Sequence, residues 1–226
     1  MGEPAQSVPR FRERPTAPVV GDAWWLGAPP LAAAAALAWA GWTGLAGAAA
    51  ALAAFTVFFF RNPARAIPGD ERSVVAPADG RVLAVGQIEE PDGSKALRIG
   101  IFLSVFDVHV NRMPLAGRVV AVERTGRRYR AAFDPRAETD NVRCALTLET
   151  ASGVRFRVVQ ITGLVARRIV CHPLVGQWVE RGARYGLIRF GSRTDVVLPP
   201  GAQARVQRGE RVRGGSSVLA VLGETA

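Results

Sequence analysis

The dipeptide Gly191-Ser192 lies in the stretch RFGSRTDVVLP, which otherwise has the pattern of a β-strand. A serine hydroxyl can attack the carbonyl carbon of the preceding residue, which converts the amide into an ester. Elimination then leaves a new amino terminus that hydrolyses to a pyruvoyl ketone. Glycine suits the position before such a serine because its carbonyl is unhindered and its backbone tolerates strained dihedral angles. The pair is therefore a candidate for self-cleavage, with Ser192 as the source of an electrophile.

Other sources of an electrophile are few in this chain. Lys95 is the single lysine, so Schiff-base chemistry through a lysine amine would depend on it alone. Its turn-like context, EEPDGSKALR, also fits a carrier lysine on a hairpin tip, but the methionines that flank such lysines are missing. A second Gly-Ser pair, Gly215-Ser216, lies in RGGSSVLA, where the glycines resemble ordinary turns between strands.

Cysteine usage and charge narrow the class of protein. Cys144 and Cys171 lie 27 residues apart without a CxxC pattern, which favours two reduced thiols over a disulfide and indicates no metal site. The formal net charge is +10, and 28 of the 29 basic residues are arginine. Such a surface favours phosphate, on nucleic acid or on anionic lipid. The β segments lack the clustered aromatic residues of single-strand binders, so we expect no nucleic-acid partner.

The first part of the chain reads as a leader followed by a membrane hairpin. Residues 1–22 are rich in proline and arginine and are expected to form a mobile basic leader. Residues 23–61 contain an uncharged run that is too long for one membrane crossing and short for two. Its tryptophans and glycines predict a helical hairpin with a turn near Trp42, and Pro29-Pro30 is expected to shorten the first arm. The alternative is a buried pair of alanine-rich helices in a soluble protein.

Residues 62–226 change to short alternating apolar runs bounded by Gly, Pro and Asp, which is typical of strands. One of these runs, ALRIGIFLSVFDVHV, reads as continuous. No helix of convincing length is indicated. The sequence therefore predicts a mainly β protein: a compact β-rich catalytic domain with barrel-sandwich-like elements, preceded by the hydrophobic helical hairpin.

Five segments in order across residues 61–199 resemble the phosphatidylserine decarboxylase family, particularly its short bacterial and archaeal form. They are RNPAR, APADGRV, IFLSVFDVHVNRMP, GLVARRIVCHPLVGQWVERG and RFGSRTDVVLP. The resemblance implies that Ser192 becomes a covalent pyruvoyl cofactor and that the Gly191–Ser192 bond is cleaved. The products would be chains 1–191 and 192–226, held together as a heterodimer that is open to further association. Because RFGSRTDVVLP matches along its whole length, the resemblance favours Ser192 over Ser216.

The same resemblance assigns roles to Asp79 and His109. Asp79 in PADG matches the family aspartate implicated in self-cleavage, although alone it reads as a turn residue. His109 in DVHVNRMP matches the family histidine near the pyruvoyl group, suited to proton transfer, although alone it reads as structural. The long form has a second histidine three residues later, where this chain has Arg112, and arginine does not act as a base.

That departure leaves the self-cleavage step open. Either Asp79 suffices, or His172 comes near in space. Arg112 is expected to bind the carboxylate or phosphate of the substrate instead. Arg167 and Arg168 offer the same contact, or form a solvated surface pair.

By resemblance, the chain is expected to convert phosphatidylserine to phosphatidylethanolamine and carbon dioxide in phospholipid biosynthesis. Its partners would be the anionic phospholipid substrate and the cell membrane, bound at the surface or by insertion of the hairpin. The basic flanks of the hairpin place the catalytic domain on the cytoplasmic side. The alternative is a non-enzymatic, membrane-anchored barrel-sandwich adaptor, which would keep an intact chain and carry no reactive carbonyl.

Overall fold

The computed structural model describes residues 8–12, 17–90, 92–164, 166–189 and 192–223. Gly191, half of the predicted cleavage site, lies outside the described residues. The helices are α1 (Asp22–Trp39), α2 (Thr43–Phe59) and α3 (Ala137–Asp140). The strands are β1 (Ser73–Val75), β2 (Gly80–Glu89), β3 (Lys95–Leu103), β4 (Val110–Arg112), β5 (Gly117–Thr125), β6 (Arg143–Glu149), β7 (Arg155–Thr162), β8 (Arg168–Cys171), β9 (Trp178–Val179), β10 (Arg184–Arg189), β11 (Ser192–Leu198), β12 (Gln203–Ala204), β13 (Arg211–Val212) and β14 (Val218–Val221). The predicted mainly β architecture behind two helices is confirmed.

The largest sheet is antiparallel and has the strand order β13-β2-β3-β11-β7-β6-β5-β9. Val212 on one edge strand and Val179 on the other belong to the same buried cluster. Side chains from opposite edges can share one core only if the sheet curls around it. Strand β11, which begins at Ser192, lies near the middle of this curled sheet.

Two three-stranded sheets complete the β part, with orders β1-β14-β12 and β4-β10-β8. The second, here called the small sheet, lies between the large sheet and the helices. One of its faces contacts the large sheet, because Asn111 of β4 meets Thr194 of β11. Its other face carries Val110 and Leu187, which pack with Phe59 at the end of α2.

The apolar run at the front folds into two helices joined by residues 40–42, so the predicted hairpin and the position of its turn are confirmed. Gly41 has a positive φ of 81°, which favours glycine at this reversal. Helix α1 continues through Pro29 and Pro30, whereas the sequence predicted that they shorten it. The carbonyls that lose an N–H partner belong to Trp25 and Leu26, whose residues are exposed to solvent. Within the described residues, no helix combines the length and apolar character needed to cross a bilayer.

Parts of the predicted leader lie against the β domain. The N–H of Phe11 donates to the carbonyl of Trp178 in β9. Nearer the hairpin, the N–H of Val20 donates to the carbonyl of Phe60, and the N–H of Asn62 donates to that of Pro18. Backbone hydrogen bonds therefore join the segment that enters the hairpin, residues 18–20, to the segment that leaves it, residues 60–62. These two segments are called the neck of the hairpin.

The run ALRIGIFLSVFDVHV, read as continuous from the sequence, divides into two strands of different sheets. Strand β3 ends at Leu103, and β4 begins at Val110. Between them Asp107 closes a turn: its carboxylate accepts the N–H of Ser104 at 2.8 Å, and its own N–H donates to the Ser104 carbonyl at 3.0 Å. This turn carries the chain from the large sheet to the small sheet just before His109.

Candidate active site

Strand β11 lies between β3 and β7, and all seven of its residues are buried. Its side chains alternate between the two faces of the sheet. On the inner face, Val196 and Leu198 belong to the hydrophobic core, whereas Ser192 and Thr194 are polar. The inner face therefore changes from apolar to polar toward the beginning of the strand.

Neighbouring strands extend the polar end of this face. In β7, Thr162 lies opposite Ser192 and Gln160 lies opposite Thr194. The Gln160 amide donates from Nε2 to Oδ1 of Asn111 at 2.7 Å, and Nδ2 of Asn111 lies 3.4 Å from Oγ1 of Thr194. These buried side chains form a polar layer between the two sheets. Sequence reasoning did not identify it, because its members come from three strands that are distant in the chain.

Ser192 is fully buried, and its Oγ has no hydrogen-bond partner among the described residues. Leaving a buried hydroxyl without a partner costs about 1–3 kcal/mol. Such an exception among buried polar groups points to a role other than stability. A hydroxyl that is not held by another acceptor or donor is free to rotate toward the backbone carbonyl that precedes it.

Strand β10 runs over β11 in the opposite direction. Gly186 of β10 packs against the Gln160 side chain, which is paired with Thr194: a Cβ on Gly186 would lie 3.1 Å from Nε2 of Gln160. Only two residues separate Arg189 at the end of β10 from Ser192 at the start of β11. The end of β10 therefore lies at the same end of the sheets as Ser192.

His109 lies at that end as well. Strand β4 is antiparallel to β10, and the N–H of Ile188 donates to the His109 carbonyl at 3.3 Å. Strand β4 is consequently parallel to β11, and Asn111 contacts Thr194. His109 precedes Asn111 by two residues, as Ser192 precedes Thr194. This register places His109 and Ser192 at the same end of their strands, as the sequence-based assignment of both residues to one site requires.

The His109 imidazole is enclosed and neutral. It is 1 % exposed, and its ring lies against Phe59 of α2 with a centroid distance of 4.1 Å. Burial lowers the pKa of His109 to about 4, and the hydrogen bond to Asp107 only partly opposes this effect. Nδ1 lies 3.0 Å from the carbonyl oxygen of Asp107, an arrangement that assigns the hydrogen of the neutral ring to Nδ1. Nε2 is then the nitrogen that accepts a proton.

Asp79 directly precedes β2 and lies at the same end of the large sheet as Ser192, because Arg81 pairs with Phe102 and Phe102 pairs with Arg193. Its Oδ2 accepts a hydrogen bond from Arg65 at 2.6 Å, and its Oδ1 accepts one from the N–H of Gly214 at 2.8 Å. The next residue, Gly80, has a positive φ and no room for a Cβ against the Phe102 carbonyl, so glycine is sterically required at this position. Both carboxylate oxygens of Asp79 are engaged there, and neither is hydrogen bonded to Ser192. Its part in self-cleavage stays a prediction.

Arg112 is also committed to contacts within the protein. Its Nη2 donates to Oδ1 of Asn62 at 2.7 Å and to the carbonyl of Pro63 at 3.0 Å, and its Nη1 donates to the carbonyl of Gly182 at 3.2 Å. These bonds fasten the RNPAR segment to the small sheet. The structure thus gives Arg112 a bracing role that the sequence did not predict, and its binding of substrate stays a prediction.

None of the remaining sequence candidates is hydrogen bonded to the Ser192 hydroxyl among the described residues. Ser216 lies in the turn between β13 and β14, where Gly215 has a positive φ, as expected for a turn. His172 follows β8 and pairs with Tyr185, so it lies at the opposite end of the small sheet from His109. Arg167 is exposed and lies over the Tyr129 ring at 5.8 Å. Cys144 and Cys171 are free thiols. No group of three potential metal ligands occurs among the described residues.

The outer face of β11 carries a buried ion pair beside the candidate serine. Arg193 donates from Nε and Nη2 to the two carboxylate oxygens of Asp195 at 2.6 and 2.7 Å. Burial raises the pKa of Asp195, and the charge of Arg193 opposes this rise. Glu138 of α3 binds Arg98 and Arg193 above the pair. Gly100 leaves space for the Asp195 carboxylate, because a Cβ at position 100 would lie only 2.9 Å from Oδ1 of Asp195. The residue after Ser192 is therefore anchored in the sheet.

Together these features define a mainly β protein with an isolated, buried serine at the head of its central strand and a neutral histidine at the same end of the sheets. These are the two residues to which the sequence analysis assigns the pyruvoyl group and the proton transfer.

Comparison with known proteins specifies the family. The family model of phosphatidylserine decarboxylase matches residues 52–220, from the second half of α2 to β14. Three relatives that carry the name phosphatidylserine decarboxylase proenzyme come from Pelobacter propionicus, Citrifermentans bemidjiense and Symbiobacterium thermophilum. The first two are each 52 % identical, over 75 % and 74 % of this chain and 77 % of each relative. The third is 45 % identical over 89 % of this chain and 95 % of the relative. The chain belongs to the phosphatidylserine decarboxylase family.

Proposed function

We propose that this chain is a phosphatidylserine decarboxylase that generates a pyruvoyl group from Ser192 by cleaving its own Gly191–Ser192 bond. The observation that carries the proposal is the fully buried Ser192 hydroxyl without a hydrogen-bond partner among the described residues. Membership of the family and the word proenzyme in the names of its relatives support it. The adaptor alternative is not favoured, because it gives no reason for an isolated buried serine.

The self-cleavage step uses atoms of the chain and one water molecule. Oγ of Ser192 attacks the carbonyl carbon of Gly191; the amide C–N bond breaks and an ester forms, while the serine proton passes to the amine. Loss of the Cα proton of residue 192 then expels Gly191 as a carboxylate. Hydrolysis of the resulting enamine, after its tautomerisation, releases ammonia and leaves the ketone.

His109 is suited to proton transfer in the decarboxylation. Because its pKa is about 4, the ring is neutral near pH 7 and accepts a proton at Nε2 before it returns one. A pyruvoyl ketone at residue 192 would supply a carbonyl for condensation with the amine of the lipid headgroup and an acceptor for the electrons released as carbon dioxide leaves. The ion pair of Arg193 and Asp195 holds the strand behind the new terminus in place, so the reacting end stays fixed relative to His109.

The helical hairpin supports a membrane-associated enzyme. Large apolar side chains cover its exposed surface, among them Trp24, Trp25, Trp39 and Trp42. Indole rings favour the boundary between lipid and water, and large exposed apolar patches indicate an interaction surface. The hairpin then holds the catalytic domain at the surface of the cell membrane, on the cytoplasmic side, where a lipid reaches the site without leaving the bilayer.

The proposal is tested by exchanging the two candidate serines. We expect Ser192→Ala to remain one uncleaved chain and to release no carbon dioxide from phosphatidylserine. Ser216→Ala is the matched control, because it removes the other Gly-Ser hydroxyl, and it should still cleave and decarboxylate. Chain pattern on a denaturing gel and release of labelled carbon dioxide report the two steps. The reverse pattern would move the reactive residue to Ser216, and cleavage of both variants would refute self-processing at either serine.

A further inference from the structure

A cavity of about 410 Å³ separates the small sheet from the segment that leads into α1. One wall consists of Ala17, Val19, Val20, Gly21 and Trp25. The other wall is the face of the small sheet that is turned away from Ser192. This face presents three arginines and a histidine, which are Arg168, His172, Arg184 and Arg189.

The β-bulge in β10 turns Arg184 toward this cavity. Arg184 pairs with Arg112 and Gly186 with Asn111, so Tyr185 is the extra residue between them. The extra residue places Arg184 on the same face as Leu187 and Arg189, whereas the Tyr185 side chain enters the hydrophobic core. Without the bulge, Arg184 would face the large sheet.

Arg184 is 6 % exposed, and no hydrogen bond or ion pair joins its guanidinium to another described residue. A buried arginine is normally paired, because its charge is costly to desolvate. Arg168, at an exposed position of the same face, adds a second positive charge to the lining of the cavity. An anion bound in the cavity would supply the partner that the Arg184 guanidinium lacks among the described residues.

The position of the cavity indicates which anion binds. Trp25 lines it and is 85 % exposed, and the neck of the hairpin forms its wall. We propose that this cavity binds the phosphate group of a membrane phospholipid, with Arg184 as the central ligand, as a contact separate from the reacting serine. The guanidinium fork matches two phosphate oxygens, and the apolar wall of Val19, Val20 and Trp25 accommodates the glycerol end of the lipid. The site would fix the catalytic domain against the headgroups beside its own hairpin.

The proposal rests on the membrane association of the proposed function but not on its chemistry, so the test uses a lipid that is no substrate. Full-length protein is floated with vesicles of equimolar phosphatidylcholine and phosphatidylglycerol, and with vesicles of phosphatidylcholine alone. We expect Arg184→Gln to lower the affinity for the anionic vesicles about tenfold, the effect of losing one charged hydrogen-bonding group. The matched control is Arg118→Gln, which removes the same charge from an exposed position of β5.

Two further arms keep the result interpretable. Arg168→Gln, at an exposed position of the same face, should weaken anionic binding to a smaller extent and guards against a folding defect of Arg184→Gln. Inorganic phosphate is titrated in a thermal-denaturation assay. If Arg184→Gln and Arg118→Gln bind the anionic vesicles equally, the proposal is wrong. If inorganic phosphate then stabilises the wild type but not Arg184→Gln, the cavity binds free phosphate, which also overturns the lipid assignment.

Discussion

At the scale of single residues, His109 is the group proposed to transfer a proton during the decarboxylation. We expect His109→Ala to lower the turnover of phosphatidylserine about 100-fold or more, the typical effect of losing a positioned acid or base. Self-cleavage should continue, because it depends on the hydroxyl of Ser192. Gln203→Ala, at an exposed position of β12, serves as the control. Normal decarboxylation by a cleaved His109→Ala protein would remove His109 from the mechanism.

Burial of His109 also predicts a pH dependence of stability. Its pKa is about 4 in the folded protein and about 6.5 in the unfolded chain, so the unfolded chain binds the additional proton between these values. The free energy of unfolding should therefore fall as the pH is lowered from about 6.5 to about 4, by about 3 kcal/mol from this residue. His109→Gln in the uncleaved Ser192→Ala protein should lose that part of the slope. Denaturant titrations at several pH values measure it, and equal slopes would contradict the account.

The sequence led to Ser192 and His109 because each lies in a motif that matches the family. It could not show the surroundings that set their chemistry. The His109 pKa depends on Phe59, which is fifty residues earlier in a different element. The contacts of Arg112 within the protein could not be predicted for a similar reason: its partners, Asn62, Pro63 and Gly182, approach only in the folded chain.

At the scale of elements, strand β11 is fastened on its outer face by the pair of Arg193 and Asp195. We expect Asp195→Asn to lower the free energy of unfolding of the uncleaved Ser192→Ala protein by about 3–5 kcal/mol, because it leaves the buried Arg193 guanidinium with only the longer contact to Glu138 as a counter-charge. Glu149→Gln is the control, since it breaks the exposed pair with Arg155 and should cost at most about 1 kcal/mol. A loss in Asp195→Asn no larger than that of the control would show that the pair does not anchor the strand.

The helices and strands could be predicted wherever the local pattern of apolar, polar and glycine residues determines them. The uncharged run with its central glycines predicted the hairpin and its turn, and the alternating runs predicted strands. The run that contains both β3 and β4 was misleading, because its alternation continues through a turn that only the hydrogen bonds of Asp107 reveal. Pro29 and Pro30 were misleading as well. In an exposed helix, water can hydrogen bond to the two backbone carbonyls that lose their N–H partners at these prolines.

At the scale of the whole molecule, the exposed tip of the hairpin should govern attachment to membranes. Trp39 is 93 % exposed, and Trp42 is also exposed. We expect the double variant Trp39→Ser and Trp42→Ser to bind phosphatidylcholine vesicles at least about tenfold more weakly, since a large apolar side chain contributes on the order of 1.5–3 kcal/mol on burial. Decarboxylation of a soluble short-chain phosphatidylserine should be unchanged. Phe133→Ser, an exposed apolar residue of the β domain, is the control for flotation. Equal flotation of the double variant and the control would show that the tip is not an anchor.

Self-cleavage before Ser192 and conversion of that serine into a ketone are best tested by the intact masses of the purified wild-type protein, because these masses report the position of cleavage and the chemistry of the new terminus together. We expect two chains, residues 1–191 with an ordinary carboxyl terminus and residues 192–226 lighter by one ammonia than the peptide released by simple hydrolysis. An intact chain, cleavage at another bond, or a small chain that retains its amino-terminal serine would contradict the proposal.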